Sequence, residues 1–345
     1  MTLRPPTVRG ASGALSTFSV EVNAANQQNV DEIDRTLIDL LLRDVKMTNR
    51  QLAAQTEISV SAVSVRLRKL IASGVLVFTA IIDWEMAGFD WLIIIRLRTR
   101  ARSPRQVAEE LSNLEQCLVA AVSLGAHDVI AYFLAKDRSE LKRLTDEELP
   151  TVAGIADMSV DLATETAITA NGRRVFIGHG RPILRLPAPH VALDELDVAI
   201  LQELIEDGRK SSRRIARAHH TSEGTVRTRI SRLVEANLFR VVAMVDPVAL
   251  GLASVIAAIS IRVDRSRVVE IRSRLAAIPE LAFIAVCVGS SDLSIALTAN
   301  DPQELIRLIS DRVQVIDGIN ATEILLMVDV VLFSPYMKRL ASSPR

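Results

Sequence analysis

Apolar side chains recur every three to four residues in two separate segments of the chain, and each segment predicts a unit of three short helices. In the first segment, the opening helix is indicated by Ile33, Leu37, Leu40 and Leu41. A second helix is marked by Leu52 and Ala53. The third is predicted over 60–73, with an inward face of Val63, Leu67, Leu70 and Ile71. Residues 75–82 continue as an apolar run that ends at Asp83, which predicts a β wing.

Polar residues at the predicted helix ends support this division. Thr48 and Gln51 have the spacing of a capping box, in which each side chain bonds the backbone N–H of the other residue. Ser59 is placed to cap the third helix. Gly74 follows the end of that helix, where glycine tolerates a positive φ.

The same pattern returns later in the chain without a gap. Residues 31–88 align with 194–251 at 14 identical positions of 58, and a repeat of this length predicts a duplicated domain pair rather than a solenoid. Ser222 is the second-copy cap, and Asn237 stands where Gly74 stood. The second set of helices is predicted from Leu196, Ile200, Leu204, Ile215, Ala216, Val226, Ile230, Leu233 and Val234.

After each three-helix unit the pattern changes to strand, helix, two strands, helix and strand. The first copy of this βαββαβ order lies within 91–168 and the second within 255–333. Such an order predicts a four-stranded antiparallel sheet with helices on one face. The expected fold class is α+β, with two winged helix-turn-helix domains and two ferredoxin-like βαββαβ domains in tandem. The two sheets are expected to pack face to face, within one chain or between chains.

Domain boundaries follow from these patterns and from a stretch containing Pro and Gly between the halves. The predicted division is a disordered leader at 1–30, winged helices at 31–88 and 194–251, βαββαβ domains at 89–168 and 252–336, a linker at 169–193 and a tail at 337–345. The leader lacks the apolar core of a signal peptide. The longest uncharged stretch that suggests a membrane segment, 247–261, is too short to span a bilayer. We therefore expect a cytoplasmic protein without a membrane partner.

Charge and cysteine content narrow the function further. The 41 basic and 41 acidic residues give a net charge of zero, which argues against a protein that coats nucleic acid non-specifically. Residues 209–240 nevertheless hold nine Lys or Arg against two Glu, a local basic patch. The two cysteines, Cys117 and Cys287, lie in apolar surroundings and predict buried thiols rather than a disulfide framework.

The third helix of each unit carries polar and cationic side chains opposite its apolar face, as a helix that enters a DNA major groove does. Arg66 and Arg229 lie at the flank, so they are predicted to contact phosphates or to form a structural ion pair. A purely structural, solvated face remains the alternative. The predicted DNA-binding residues are Ser59, Ser61, Ser64, Arg66, Arg68 and Lys69 in the first copy, and Ser222, Arg227, Thr228, Arg229, Ser231 and Arg232 in the second.

Residues 58–67 and the Gly125-Ala126-His127-Asp128 segment, each with its second counterpart, resemble the Lrp/AsnC family of amino-acid-responsive transcription regulators. The resemblance covers 31 to about 165 and 194 to about 335. It implies double-stranded DNA as a partner, a small-molecule effector of the amino-acid class, and a homo-oligomer built on pairing of the βαββαβ domains, which the family calls RAM domains. Ordinary members carry one copy and dimerise, whereas this chain fuses two.

The same resemblance places an effector pocket at the two Gly-x-x-Asp hairpins. Exposed backbone N–H groups beside the glycines would hold an effector carboxylate, and the Asp side chains would hold its ammonium group. Tight hairpin turns require Gly and Asp for their own reasons, which is the alternative. The predicted effector-binding residues are Gly125, Ala126, His127, Asp128, Gly289, Ser290, Ser291 and Asp292.

Enzyme chemistry is less well supported. The five histidines lack partners at metal-ligand spacing, and no catalytic residue, metal or cofactor is expected. Siroheme decarboxylases resemble this architecture and are the enzyme alternative. Their characteristic His- and Arg-rich segments correspond here to 77–80 and 240–243, which are mostly apolar. A third alternative is an interaction scaffold whose winged helices do not bind DNA.

Overall fold

The computed structural model describes residues 30–114, 116–169, 171–172, 190–245, 255–333 and 337–338. The predicted leader, apart from residue 30, therefore lies outside the described residues. So do most of the predicted linker at 169–193, the end of the second winged helix at 246–251, and the tail beyond residue 338.

The first winged-helix unit has its helices where the apolar spacing predicts them. Its elements are α1 (Glu32–Arg43), α2 (Asn49–Thr56), α3 (Val60–Ala72) and β1 (Leu76–Asp83). Both bonds of the Thr48–Gln51 capping box form, and the Ser59 side chain accepts from the N–H of Ala62 at 3.1 Å. Gly74 has a φ of 75°. These local signals decide where each helix begins and ends, as predicted. Ile71 was also predicted to face inward, but it is 46% exposed, and its counterpart Val234 is 39% exposed.

The first βαββαβ unit follows directly. Its elements are β2 (Trp91–Thr99), α4 (Pro104–Ser112), β3 (Cys117–Gly125), β4 (Val129–Ala135), α5 (Arg138–Lys142) and β5 (Ile155–Ile168). The strand order is β3-β4-β2-β5, and neighbouring strands are antiparallel. Helix α5 continues directly into a π-helical turn at Arg143–Glu148.

The second winged-helix unit repeats the first element for element. It contains α6 (Glu195–Glu206), α7 (Ser212–Ala218), α8 (Glu223–Glu235) and β6 (Phe239–Val245). The Ser222 side chain caps α8 by accepting from the N–H of Thr225 at 3.0 Å. Asn237 takes a φ of 57° after the end of α8, as predicted from its alignment with Gly74.

The second βαββαβ unit closes the described chain. Its elements are β7 (Val255–Val263), α9 (Val268–Ala276), β8 (Leu281–Gly289), β9 (Leu293–Ala299), α10 (Pro302–Leu308) and β10 (Ile319–Phe333). A short strand, β11 (Met337–Lys338), returns to pair in parallel with β1.

The two four-stranded sheets join at both edges into one closed eight-stranded barrel. The long last strands make this closure possible, because each pairs with two neighbours in succession. The first part of β5 pairs with β2 of its own unit, and its second part pairs with β8 of the other. In the same way, β10 pairs first with β7 and then with β3. Small apolar residues such as Ala121 and Ala285 are buried in the largest core cluster, which includes the inner faces of both sheets.

The two winged-helix units are also joined, through antiparallel pairing of β1 with β6 from Leu76↔Val245 to Ile82↔Phe239. Each first helix packs partly on the other unit's strand. Leu37 of α1 shares a core with Ala243 of β6, and Ile200 of α6 shares one with Ala80 of β1. This shared sheet sets the relative position of α3 and α8. Among the described residues, every helix is too short or too polar to cross a membrane.

Candidate nucleic-acid interface and effector sites

The outer face of α3 is polar and open to solvent. Ser61, Arg68 and Lys69 are exposed, Ser64 is half-buried, and Val63 on the opposite face is fully buried. Ser59 caps the helix and also bonds the Ser61 hydroxyl at 2.9 Å. Arg68 makes only a bond to the Ser64 carbonyl at 3.3 Å, and neither Arg68 nor Lys69 has an ion pair with any described residue. Both cations are therefore available to an anionic partner.

Arg66 has a structural role at the flank of α3. Its guanidinium donates to Asp31 at 2.6 Å and to Asp34 at 2.8 Å, and so fixes α3 to the start of α1. The backbone N–H of Asp34 and the Arg66 guanidinium both lower the pKa of the Asp31 carboxyl. Of the two roles that the sequence left open for Arg66, the structure shows the ion pair.

The second unit has an equivalent ion-pair cluster, in which Arg229 of α8 takes the place of Arg66. Arg229 donates to Asp194 at 2.6 Å and to Asp197 at 3.0 Å. The Arg229 guanidinium, followed by the backbone N–H of Asp197, lowers the pKa of the Asp194 carboxyl. Arg232, which aligns with Lys69, also turns back to Asp197 at 2.5 Å and to the Ala192 carbonyl at 2.9 Å. A residue predicted to face DNA is thus partly engaged within its own unit.

The remaining predicted residues of α8 are exposed at its surface. Thr228 and Ser231 carry open hydroxyl groups, and Arg227 is 71% exposed. Arg227 pairs with Glu223 one turn earlier at 2.6 Å. An exposed i,i+4 pair of this kind contributes little to stability, about 0.3–0.5 kcal/mol, so it can be exchanged for another anion.

The two Gly-x-x-Asp hairpins lie at the two seams where the sheets join. Gly125 is paired with Leu325 of β10, and Gly289 with Asp161 of β5. Both glycines have strongly positive φ, 147° and 150°, and a Cβ at either would lie 2.4 Å from a carbonyl oxygen of the facing strand. Only glycine permits this approach, so each hairpin turn is shaped by the other half of the chain.

At the first seam, which we define as hairpin 125–128 with its facing strands, an ionisable pair bridges the halves. His127 is buried, and its Nδ1 lies 2.7 Å from Glu323 Oε1 on β10. Its Nε2 lies 3.4 Å from the Ser159 hydroxyl on β5. The Glu323 side chain remains 35% exposed. Ala126 stands next to this pair in the turn, so the first seam combines a buried imidazole with a carboxylate that solvent reaches.

The second seam, hairpin 289–292 with its facing strands, is filled by an internal ion pair. Arg96, only 2% exposed, donates to the fully buried Asp161 at 2.6 Å. Ser290 accepts from Arg96 at 2.6 Å and donates to Asp161 at 3.0 Å. Ser291 bonds the same carboxylate through both its N–H and its hydroxyl. Sequence reasoning missed Arg96 and Asp161, although Arg96 continues the inward alternation of Leu92 and Ile94.

The hairpin aspartates have contacts other than those predicted. Asp128 Oδ2 accepts from the N–H of Thr99 at 2.7 Å and from its hydroxyl at 3.1 Å. Asp292 accepts from the N–H of Val263 at 3.0 Å and pairs with Arg265 at 2.9 Å. These carboxylates fasten each hairpin to the end of the adjoining strand. An effector-binding role for either carboxylate stays a prediction.

The two cysteines are buried in the cores of the barrel region, and burial raises the pKa of both thiols. Tyr132 packs against Phe283 across the barrel with ring centroids 6.0 Å apart. Within the described ranges, no group of three His, Cys, Asp or Glu side chains is arranged to hold a metal ion.

Comparison with known proteins assigns the units to described families. A winged helix-turn-helix DNA-binding model matches residues 30–77, an AsnC-type helix-turn-helix model matches 193–234, and an Lrp/AsnC ligand-binding domain model matches 256–336. An HTH-type transcriptional regulator from Pyrococcus horikoshii, PH0140, is 36% identical over 149 residues, which are 94% of that protein and 42% of this chain. The HTH-type transcriptional regulator FL11 of Pyrococcus abyssi is 31% identical over 135 residues, 89% of its length and 38% of this chain.

The fold of a solved enzyme structure also matches most of the chain. The siroheme decarboxylase NirDL superposes with a TM-score of 0.60, covering 88% of this chain and 93% of that one, at 13% sequence identity. At that identity the match concerns the fold alone.

Proposed function

This chain belongs to the Lrp/AsnC family of transcriptional regulators, and on that premise we propose that it binds a specific DNA operator through α3 and α8 under the control of a small effector. The observation that carries the proposal is the pair of N-capped recognition helices held by one shared sheet. Both helices expose hydroxyl and guanidinium groups, which bond base edges and phosphates. A duplicated chain of this kind supplies internally the two-fold arrangement that single-copy relatives obtain by dimerising.

The operator is an imperfect palindrome in this proposal. Aligned positions on the two recognition helices differ in chemistry: Ser64 aligns with Arg227, Val65 with Thr228, and Arg68 with Ser231. Different side chains at equivalent positions favour different base edges. Pairing of complete chains through their βαββαβ domains would extend the site to further half-sites.

The effector is an amino acid or a similar zwitterion, and its binding site is the first seam. The His127–Glu323 pair joins β10 to hairpin 125–128, and its Glu323 side chain is 35% exposed. A ligand that separates this pair would gain a carboxylate for its ammonium group and an imidazole for its carboxylate. Because the contact spans both halves of the barrel, such a ligand would bind one arrangement of the halves better and shift their equilibrium.

Selection from a pool of random duplexes by the full chain, followed by footprinting, tests DNA recognition. We expect one enriched motif with two unequal half-sites. Arg68→Gln and Arg227→Gln should each weaken binding to that duplex, while Arg138→Gln, on exposed α5 far along the chain from either recognition helix, should not. If no duplex is retained at low salt, the chain is an interaction scaffold and the proposal fails.

Thermal shift measurements with each of the common amino acids test the effector site. A ligand that stabilises the wild type should lose its effect in His127→Ala and Glu323→Gln. Ser290→Ala, at the second seam, is the matched control and should keep the effect. If the ligand response follows Ser290 and not His127, the effector site has been placed at the wrong seam.

The siroheme enzyme alternative finds no support at the positions that would carry it. Both segments lie in the shared sheet, where residues 78–80 pair with 241–243 and Phe78, Thr79 and Ala80 are buried. Their backbone groups and side chains are used to join the two winged-helix units. The fold match to NirDL therefore supports the architecture and not the activity.

A further inference from the structure

The cations of the second winged-helix unit are divided into those with partners and those without. Residues 209–240 are all described, and they contain nine Lys or Arg. Six of them have a contact in the structure: Arg209, Lys210, Arg227, Arg229, Arg232 and Arg240. Within the described chain, the three left without a side-chain partner are Arg213, Arg214 and Arg217, all on α7 and all exposed.

These three arginines share one face of α7, which we call the α7 arginine face. Ile215 and Ala216 are buried and point α7 into the core beside Val226 of α8. At 100° per residue, Arg213, Arg214 and Arg217 lie within an arc of about 100° on the opposite side. The nearby carboxylate of Glu203 does not neutralise them, because it is already bonded to Lys210 and His219.

The first unit lacks this face and differs on its recognition helix as well. The aligned positions on α2 are Arg50, Gln51 and Ala54, which supply one cation instead of three. In contrast, α3 contains three cations and no acid, whereas Glu223 and Glu235 offset two of the three arginines on α8. Arg68 and Lys69 are unpaired on α3, while Arg227 and Arg232 are paired on α8.

Building on the proposed DNA binding, we propose that the two winged-helix units have different roles in binding the duplex. The α7 arginine face binds the phosphate backbone irrespective of base sequence, and α3 supplies most of the base discrimination. In helix-turn-helix proteins the helix before the recognition helix crosses the backbone, where guanidinium groups meet phosphate oxygens. Phosphate contacts fix affinity and register but carry no sequence information.

Salt dependence separates the two roles. The probes are a duplex selected by the wild-type chain and a shuffled duplex of the same length and base composition, both titrated by fluorescence anisotropy over a range of salt. The Arg213→Gln, Arg214→Gln, Arg217→Gln triple variant should flatten the slope of log affinity against log salt by up to about 2.7 units. It should weaken binding to both duplexes equally, so the ratio of the two affinities is unchanged. The Arg68→Gln, Lys69→Gln variant should lower that ratio by about tenfold.

A matched control removes three exposed cations elsewhere: Lys136→Gln, Arg138→Gln and Lys142→Gln on and beside α5 should leave slope and ratio at wild-type values. The three single α7 variants, each expected to reduce the slope by about one unit, give a graded test. The different roles of the two units are overturned if the α7 triple variant keeps the wild-type salt slope. They are also overturned if it lowers the affinity ratio as much as the α3 variant does. Either result leaves the proposed DNA binding intact. Failure of the wild type to prefer the selected duplex overturns the proposed function itself.

Discussion

The backbone N–H of Gly208, in the second winged-helix unit, donates to the carbonyl oxygen of Phe78 in the first at 2.8 Å. Arg209 then covers the Phe78 ring, 3.9 Å from its centroid, and donates to the carbonyls of Val45 and Met47. The turn after α6 is thus packed directly on the strand β1. Together with the β1–β6 pairing, this contact makes the two units one body.

Gly208→Ala should loosen that contact. A Cβ at this position would lie 2.7 Å from the backbone N of Thr79, so β1 must shift, and overpacking of this kind costs about 1–3 kcal/mol. Urea unfolding should show the loss, and affinity for a two-half-site duplex should fall with it. Gly224→Ala is the control, because its Cβ would meet only the Ser222 hydroxyl at 3.7 Å and alanine favours a helix. Equal stability of the two variants would contradict the role given to Gly208.

Arg66 and Arg68 should behave oppositely, although they are two residues apart. Arg66→Gln removes the partner of the buried Asp34 carboxylate and should cost about 1–3 kcal/mol of unfolding free energy. Arg68→Gln removes an exposed cation and should change stability by less than about 0.5 kcal/mol, while weakening DNA binding. Chemical denaturation and anisotropy on the same preparations compare the two effects. A stable Arg66→Gln protein with lost DNA affinity would instead make Arg66 a phosphate contact.

Asp31 and Asp194, the carboxylates that pair with Arg66 and Arg229, predict that the stability of the fold depends on pH. The folded-state pKa values of Asp31 and Asp194 are lowered, by backbone N–H groups and by Arg66 and Arg229. The unfolded chain therefore binds more protons at acidic pH, and stability falls as pH drops from the unfolded carboxyl pKa, about 3.9, through the lower folded values. Urea midpoints measured from neutral to acidic pH should decline over that range. The Arg66→Gln, Arg229→Gln double variant should decline less, and an unchanged profile would contradict the assignment.

The local elements of this chain could be predicted from sequence because local interactions decide them. The Thr48–Gln51 capping box, the Ser59 and Ser222 caps and the positive φ at Gly74 each depend on residues within one helical turn. The α7 arginines were also visible as a basic run. Their importance emerges only when the partners of the other cations are known.

The joins between the halves could not be predicted in the same way. Pairing of β5 with β8 and of β1 with β6 brings together segments more than 100 residues apart, and nothing in the local pattern specifies such partners. The contacts of Asp128 and Asp292 follow from the same limitation. Thr99 and Val263, whose backbone N–H groups these carboxylates accept from, lie 29 residues away along the chain, so no local pattern indicates the contacts.

Arg96 and Asp161 provide the last prediction, because the seams offer an internal reference for them. In the strand register, Ser260 of the second half is equivalent to Arg96, and Leu325 is equivalent to Asp161. The first seam therefore folds without such an ion pair. Arg96→Met alone leaves the buried Asp161 carboxylate with only serine donors and should cost about 3–5 kcal/mol.

The Arg96→Met, Asp161→Leu double variant should recover most of that loss, since replacing a buried pair with apolar residues is often neutral. A double-mutant cycle by urea denaturation gives the coupling directly. Additive losses would mean that the two residues are not held as a pair. If recovery is seen and the double variant also leaves the ligand response of the first seam intact, the ion pair serves to close the second seam and takes no part in sensing.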